Sequence, residues 1–189
     1  MGVLSAGARR LRLIAVGWLL ACGVGASGTL LAAATPAQVE AVFLFNFTQF
    51  VEWPPQAFAD PASPIIIGVL GSDPFGATLD EVVRGEVVNG RPLVVHRAQR
   101  VEELKDCQIL FLSRSERAHL APVLATLKGR NVLTVSDLGE FANEGGMICF
   151  VLVDNKVRLR VNLEATKAAG LILSSKLLRV AQIVSPGEL

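Results

Sequence analysis

Residues with hydroxyl or carboxylate side chains follow each of three short apolar segments in this 189-residue sequence. Asp73 follows the first segment, Ser113 the second and Asp137 the third. If the segments are parallel strands, their carboxyl ends share one edge of a sheet, where open α/β sheets bind ligands. One interpretation is therefore a crevice for a small polar ligand. The plainer interpretation, which the pattern favours, is that Asp73, Ser115 and Asp137 cap the helices or turns that follow.

The sequence shows no pattern typical of catalysis or of metal binding. No histidine stands in a recognisable position to activate Ser72, Ser113 or Ser136, and no nucleophile elbow is present. His96 and His119 are far apart and form no ligand set with cysteine or carboxylate. We therefore expect no enzyme activity, no metal and no cofactor, and a hydrolase is the weakest alternative.

Phosphate and nucleic-acid binding are also disfavoured. Residues 71–76 (GSDPFG) have the glycine spacing of a phosphate-binding loop, but Ala77 stands where that loop needs lysine. The net charge is only +1, and the Lys and Arg residues are scattered rather than clustered. A nucleic-acid partner is therefore not expected.

Helical segments alternate with apolar, mostly β-branched segments in the middle of the chain. Such alternation predicts crossover units, in which a mainly parallel sheet carries helices on both faces. The sequence therefore predicts an α/β fold of three layers. The predicted strands cover residues 65–70, 93–95, 108–112 and 132–135, and the predicted helical segments cover 75–83, 101–106 and 115–129.

The pattern changes towards the C-terminus. Residues 147–153 and 157–161, joined by the turn Asp154-Asn155, predict a β-hairpin. Its second arm alternates apolar residues with Arg158 and Arg160, as an edge strand with one solvated face does. A short helix over 163–169 should follow, and then a last amphipathic helix. Its inner side would carry Leu177, Leu178, Ala181 and Val184.

An aromatic-rich segment, residues 37–55, precedes the predicted sheet. Its spacing predicts a helix that ends at Trp53-Pro54-Pro55, because the residue before proline leaves helical geometry. Asn46 would lie within its apolar side, Glu40, Thr48 and Glu52 on the opposite side, and Leu44 and Phe45 off the main stripe. Because apolar residues cover more than one side, the helix is either core throughout or partly a binding surface. The predicted apolar side consists of Val39, Val42, Phe43, Phe47, Phe50 and Trp53.

The first 34 residues are predicted to be an export signal rather than part of the fold. Three arginines precede an uncharged run from Leu13 to Ala34 that ends in an A-x-A cleavage pattern. Two alternatives remain. Leu19-Leu20-Ala21-Cys22 resembles a lipoprotein box, which would leave Cys22 acylated, and the run is roughly long enough for an uncleaved anchor. Each places a single domain, residues 35–189, outside the cytoplasm.

Several segments in order resemble the YfiR family of periplasmic proteins. They are AVFLFNFTQFVEWP, GVLGSDPFG, VLTVSDLGEFANEGGMICFVL, NKVRLRVNLEATKAAGL and SSKLLRVA. The resemblance covers about residues 38–183. It implies an exported, typically dimeric regulator that represses an inner-membrane diguanylate cyclase (YfiN-like), lowering cyclic di-GMP and biofilm formation. It also implies an outer-membrane lipoprotein (YfiB-like) that relieves the repression.

On this resemblance we expect a partner-binding surface built from two segments. Phe45, Glu52, Trp53 and Pro54 belong to the first helix and its exit, and Arg158 and Arg160 belong to the hairpin. Substituting Phe45 and Trp53 is expected to weaken binding without unfolding the domain. The alternative function is a periplasmic small-molecule sensor using the crevice at Asp73, Ser113 and Asp137.

The resemblance also concerns the cysteines. Some relatives carry two disulfides, whose positions correspond here to Gly68 with Cys107 and to Ala142 with Cys149. One half of each pair is missing, so neither bridge can form. The one remaining candidate is Cys107 with Cys149. We do not expect this disulfide, because two buried free thiols are the simpler interpretation.

Overall fold

An eight-stranded, largely parallel sheet forms the centre of the structure, a computed structural model that describes residues 34–185. These residues belong to one compact unit. The predicted export signal, with Cys22, lies outside the described residues apart from Ala34. Among the described helices, none combines the length and the hydropathy needed to cross a bilayer.

The order of the strands across the sheet differs from their order along the chain. Across the sheet the order is β10-β8-β7-β6-β5-β2-β4-β3, and β1 and β9 form a separate two-stranded sheet. The strands are β1 (Val51–Glu52), β2 (Ile65–Leu70), β3 (Val87–Val88), β4 (Arg91–Ala98), β5 (Ile109–Leu112), β6 (Leu133–Ser136), β7 (Ile148–Val153), β8 (Lys156–Asn162), β9 (Ile172–Leu173) and β10 (Ala181–Val184). The helices are α1 (Pro36–Phe50), α2 (Ala77–Val83), α3 (Leu120–Leu127), α4 (Leu163–Ala168) and α5 (Ser175–Leu178), and 3-10 turns cover Pro55–Ala57, Val101–Glu103 and Arg114–His119.

The predicted α/β, three-layer fold is confirmed. Strands β4, β2, β5, β6 and β7 run parallel to one another, whereas β8 is antiparallel to β7 and β3 to β4. We call the two sides of the sheet the α1 face and the α3 face. Ile67 and Phe111 pack with α1 and α2 on the first, and Leu110 and Leu112 pack with α3 on the second. Alternate residues of each strand therefore face different layers, as the pleat requires.

The prediction for the C-terminus was wrong in two respects. Residues 181–184 form strand β10, not the end of a helix, and only α5 is helical in this region. Because β10 pairs with β8 in parallel, Ala181 lying beside Leu159, strand β8 is not the edge of the sheet. A helix would leave the outer backbone groups of β8 without partners, whereas a short strand satisfies them.

Helix α1 is shorter than predicted and buries a different side. It begins with a capping box, in which Thr35 and Gln38 each bond the other's backbone, and it ends at Phe50. Val51 and Glu52 then extend and pair with β9. The buried residues are Glu40, Ala41, Leu44, Phe47 and Thr48. The buried side is therefore rotated around the helix axis by about one residue position from the predicted apolar side. Val42, which was predicted on the apolar side, is 45 % exposed.

An aromatic cluster explains how α1 is held on the sheet. The rings of Phe43 and Phe47 lie 5.9 and 6.0 Å from the ring of Phe150, at the centre of β7. The two helical rings are 6.2 Å apart. Ring separations of this size are favourable in addition to the apolar area that they bury. The cluster positions α1 so that its first turns reach the carboxyl ends of the parallel strands and its exit reaches their amino ends.

Candidate functional site

Asp73, the first predicted crevice residue, is used within the fold. Its Oδ1 accepts a hydrogen bond from the backbone N–H of Phe75 at 2.7 Å, and its Oδ2 accepts one from Arg97 Nε at 2.7 Å. Arg97 also donates to Asp80 of α2 and to the carbonyl of Gly76. The Asp73 carboxylate thus caps the turn before α2 and ties it to β4, as the plainer interpretation expects.

Ser113, the second predicted crevice residue, belongs to a small cluster of hydroxyl groups that lies against Gly71. Its Oγ lies 2.7 Å from Ser115 Oγ, which also accepts a hydrogen bond from the backbone N–H of Ser72 at 3.0 Å. Gly71 has a φ of 84°, and a Cβ at this position would overlap Ser115 Oγ. Glycine is therefore needed here both for its positive φ and for the close approach.

Asp137, the third predicted crevice residue, lies near Glu40 of α1. The sequence had placed Glu40 on the side of the helix opposite the apolar side, but the structure buries it. Asp137 Oδ2 accepts a hydrogen bond from Arg114 Nε at 2.7 Å, while its Oδ1 is buried without a hydrogen-bond partner among the described residues. Glu40 is only 8 % exposed. Burial and, to a smaller extent, the charge of Asp137 raise the pKa of Glu40 to about 7, against the opposing effect of Arg114.

The three predicted crevice residues therefore have separate partners instead of one shared ligand site. Ser136, at the same edge, donates to the carbonyl of Leu112 at 2.7 Å and accepts from the N–H of Leu138. Within residues 34–185, no group of three or more His, Cys, Asp or Glu is arranged to hold a metal ion. Because each of these groups bonds a different partner within the fold, the structure offers no specific observation in favour of the sensor alternative.

Two clefts lie elsewhere on the protein. One, of about 520 Å³, is at the amino ends of the strands and is lined by Phe58, Ile66, Lys105, Cys107 and Arg130 among others. The second, of about 460 Å³, is an apolar groove between α3 and α4. Neither is lined by Asp73, Ser113 or Asp137.

The predicted contact residues at the exit of α1 differ in their exposure. Glu52 is exposed, whereas Phe45, Trp53 and Pro54 are half-buried, and Phe45 and Trp53 pack against the core cluster of the α1 face. Trp53 Nε1 also donates to the backbone carbonyl of Gln108 at 3.1 Å. Substitution of Phe45 or Trp53 is therefore expected to cost stability as well as binding, because both side chains belong partly to the fold.

Arg158 and Arg160 lie on the α3 face of β8, next to Lys156, in a row that we call the β8 basic row. Arg158 is exposed, and Arg160 Nη1 lies 3.9 Å from Glu140 Oε1. Arg160 Nε is buried without a hydrogen-bond partner among the described residues. The basic row begins near the carboxyl edge of the sheet, whereas Glu52 and Trp53 lie on the α1 face near the amino edge. The structure does not bring the two predicted segments together.

The cysteines are free and far apart in the structure. Cys149 of β7 pairs with Ser136, which pairs with Leu112, while Cys107 precedes β5. Strand spacing places the two residues roughly 10 Å apart across the sheet and roughly 16 Å along it, well beyond disulfide reach.

One comparison with known proteins bears on the whole domain. A family model described as YfiR/HmsC-like matches residues 37–182. The match begins in α1 and ends in β10, so it spans both faces of the sheet, the exit of α1 and the β8 basic row.

Proposed function

Because the chain belongs to the YfiR/HmsC-like family, which consists of periplasmic regulators of diguanylate cyclase and not of catalysts, we propose that it binds and represses an inner-membrane diguanylate cyclase. Repression lowers cyclic di-GMP and biofilm formation. The observation that carries this proposal is the family match over residues 37–182.

The proposed mechanism is mass action between partners. The free protein binds the periplasmic domain of a YfiN-like cyclase and favours the inactive arrangement of that enzyme. An outer-membrane lipoprotein of the YfiB type competes for the regulator and returns the cyclase to its active population. Export through the leader in residues 1–34, or a lipid anchor on Cys22, would deliver the domain to that compartment.

The exit of α1 is the surface that we propose for the cyclase. It joins an exposed carboxylate, Glu52, to a half-buried indole, Trp53, whose orientation is held by the hydrogen bond to Gln108. Aromatic side chains whose orientation is already fixed, with polar side chains beside them, are typical of binding hot spots, because little conformational entropy is lost when they bind. The β8 basic row is the alternative surface, which would suit an acidic partner.

Charge reversal at Glu52 is expected to weaken binding of the cyclase periplasmic domain by about tenfold, equivalent to about 1.4 kcal/mol. Glu52 makes no ion pair with any described residue, so Glu52→Arg should leave folding intact. The measurement is isothermal titration calorimetry of the purified protein against that domain. Arg158→Glu, on the other sheet face, is the matched control and should bind like the wild type.

The outcomes separate the site from the function. Weaker binding in Arg158→Glu but not in Glu52→Arg would move the interface to the β8 basic row. If neither variant binds the cyclase domain more weakly than the wild type, the contact surface lies elsewhere on the protein. Absence of wild-type binding would overturn the proposed function itself.

A further inference from the structure

The larger of the two clefts, which we call the amino-end cleft, lies across the amino ends of three adjacent parallel strands, β2, β5 and β6. Its volume of about 520 Å³ is within the range of small-molecule sites. None of the residues predicted for the crevice or for partner binding lines it. The lining comes from the segments that lead into the three strands and from the segment that follows the exit of α1, namely residues 63–66, 105–108, 129–132 and 56–59.

One wall of the cleft is fixed by the buried amide of Gln108. Its Oε1 accepts a hydrogen bond from the backbone N–H of Ile66 at 2.8 Å, and its Nε2 donates to the carbonyl of Ala57 at 2.8 Å. These two bonds join segment 56–59 to the start of β2. The cleft therefore exists before any ligand binds, which keeps the entropic cost of binding low.

Phe58 gives the cleft an aromatic wall whose orientation is also fixed. The guanidinium of Arg91 lies 3.8 Å from the centroid of the Phe58 ring, in a cation–π contact. Arg91 is itself held, because it donates to the carbonyl of Ser63 at 2.6 Å and to that of Asp60 at 3.0 Å. The ring is thus available to a ligand without having to be ordered first.

The innermost part of the lining is apolar. Cys107 and Val132 are buried, Ile66 is half-buried, and all three belong to or pack against the core cluster of the α3 face. Together with Phe58 they offer the apolar surface on which small-molecule sites commonly bind the body of a ligand.

The rim of the cleft is charged and on balance positive. Its charged residues are Lys105, Arg130 and Asp106. Arg130 Nη1 lies 3.3 Å from Asp106 Oδ1 in an exposed ion pair, which contributes little and leaves the other guanidinium N–H groups available. The Lys105 ammonium has no hydrogen bond or ion pair with any residue that the structure describes.

We propose that the amino-end cleft binds a small amphipathic anion. Its apolar body lies on the inner surface beside Phe58, and its carboxylate or sulfonate is bound by Lys105 and Arg130. A cationic ligand would meet two like charges, and a second anionic group would be opposed by Asp106. Charge-assisted hydrogen bonds from lysine and arginine are the strong ones, so the anionic group decides the affinity.

The second cleft, between α3 and α4, does not offer the same chemistry. Its lining includes no aromatic residue and a single charged side chain, Lys128. Because Gly129 and Val132 line both clefts, the two are neighbours, and a test must distinguish them. The inference does not depend on repression of a cyclase, because a small ligand can bind here with no partner protein present.

Two fluorescent probes that differ in one charged group test the proposal. 8-Anilinonaphthalene-1-sulfonate carries an apolar body and one sulfonate, and N-phenyl-1-naphthylamine has the same body without the sulfonate. Lys105→Glu is expected to weaken binding of the sulfonate probe by about tenfold and that of the neutral probe by less than about twofold. Lys128→Glu makes the same change of charge at an exposed residue that lines only the second cleft, so this matched control should bind both probes like the wild type.

A second pair of variants locates the apolar body of the probe. Ala59 is exposed and lines the amino-end cleft, so Ala59→Trp should fill part of the cleft and weaken binding of both probes. Ala125→Trp, at an exposed residue of the second cleft, is its control and should leave both affinities unchanged. Unchanged circular dichroism spectra establish that the variants fold.

Four outcomes would overturn the proposal. They are no binding of the sulfonate probe by the wild type, equal losses in Lys105→Glu and Lys128→Glu, equal weakening of both probes by Lys105→Glu, and full binding of the sulfonate probe by Ala59→Trp.

Discussion

Glu40→Gln is expected to stabilise the folded protein by about 3 kcal/mol at pH 8 and to change little near pH 4.5. The wild-type carboxyl is buried beside Asp137, and its pKa rises from 4.5 to about 7 on folding. Each pKa unit corresponds to about 1.4 kcal/mol, which sets the size of the effect. Glutamine resembles the protonated acid and places no second negative charge near Asp137.

The sign of the pH dependence follows from the raised pKa. Folding takes up a proton between pH 4.5 and about 7, so the stability contributed by Glu40 is present below pH 4.5 and is lost as pH rises through 7. Urea unfolding of wild type and variant at several pH values measures the difference. Glu52→Gln, an exposed carboxyl at the exit of the same helix, is the control. A stability difference that is independent of pH would contradict the account of Glu40.

Gly68→Cys is expected to form a disulfide with Cys107 and to stabilise the oxidised protein by roughly 2 to 4 kcal/mol. A Cβ at Gly68 would lie 3.1 Å from Cys107 Sγ, close to the roughly 3 Å between a Cβ and the far sulfur of a disulfide. The same Cβ would lie 3.0 Å from Leu110 Cδ1, so part of the gain is offset by crowding.

Oxidation must take place during folding, because burial raises the pKa of Cys107 to about 12 and leaves the folded thiol unreactive. Thiol titration in denaturant detects the bond, and thermal unfolding with and without reductant measures its effect. Gly68→Ala introduces the same crowding without the bond and should be less stable than the wild type. Equal melting temperatures for the oxidised and reduced forms of Gly68→Cys would show that the predicted geometry is wrong.

The buried strands were the most predictable part of the fold. The segment IIIGVL is apolar and β-branched between Pro64 and Gly71, and it forms β2 with the predicted bounds. Residues 177–184 were less predictable, because Leu177, Leu178, Ala181 and Val184 fit a helical stripe. The parallel pairing of Ala181 with Leu159 outweighs that local pattern, and a contact between residues so distant in sequence leaves no periodic signal.

The candidate site was harder to predict, since it depends on how α1 is rotated on the sheet. The large aromatic residues favoured one side of the helix, whereas Ala41, Leu44 and Phe47 define the side that is buried. The 40, 44, 47 spacing could have indicated this side, but a charged residue at its end argued against burial. That Glu40 faces Arg114 and Asp137 became evident only from the packing of α1 against the strand ends.

Cellular cyclic di-GMP provides the most direct measurement of the central claim. Deleting the gene in a strain that retains the cyclase should raise cyclic di-GMP, and a plasmid copy should restore the original amount. A deletion that leaves cyclic di-GMP unchanged under conditions in which the cyclase is expressed would contradict the account.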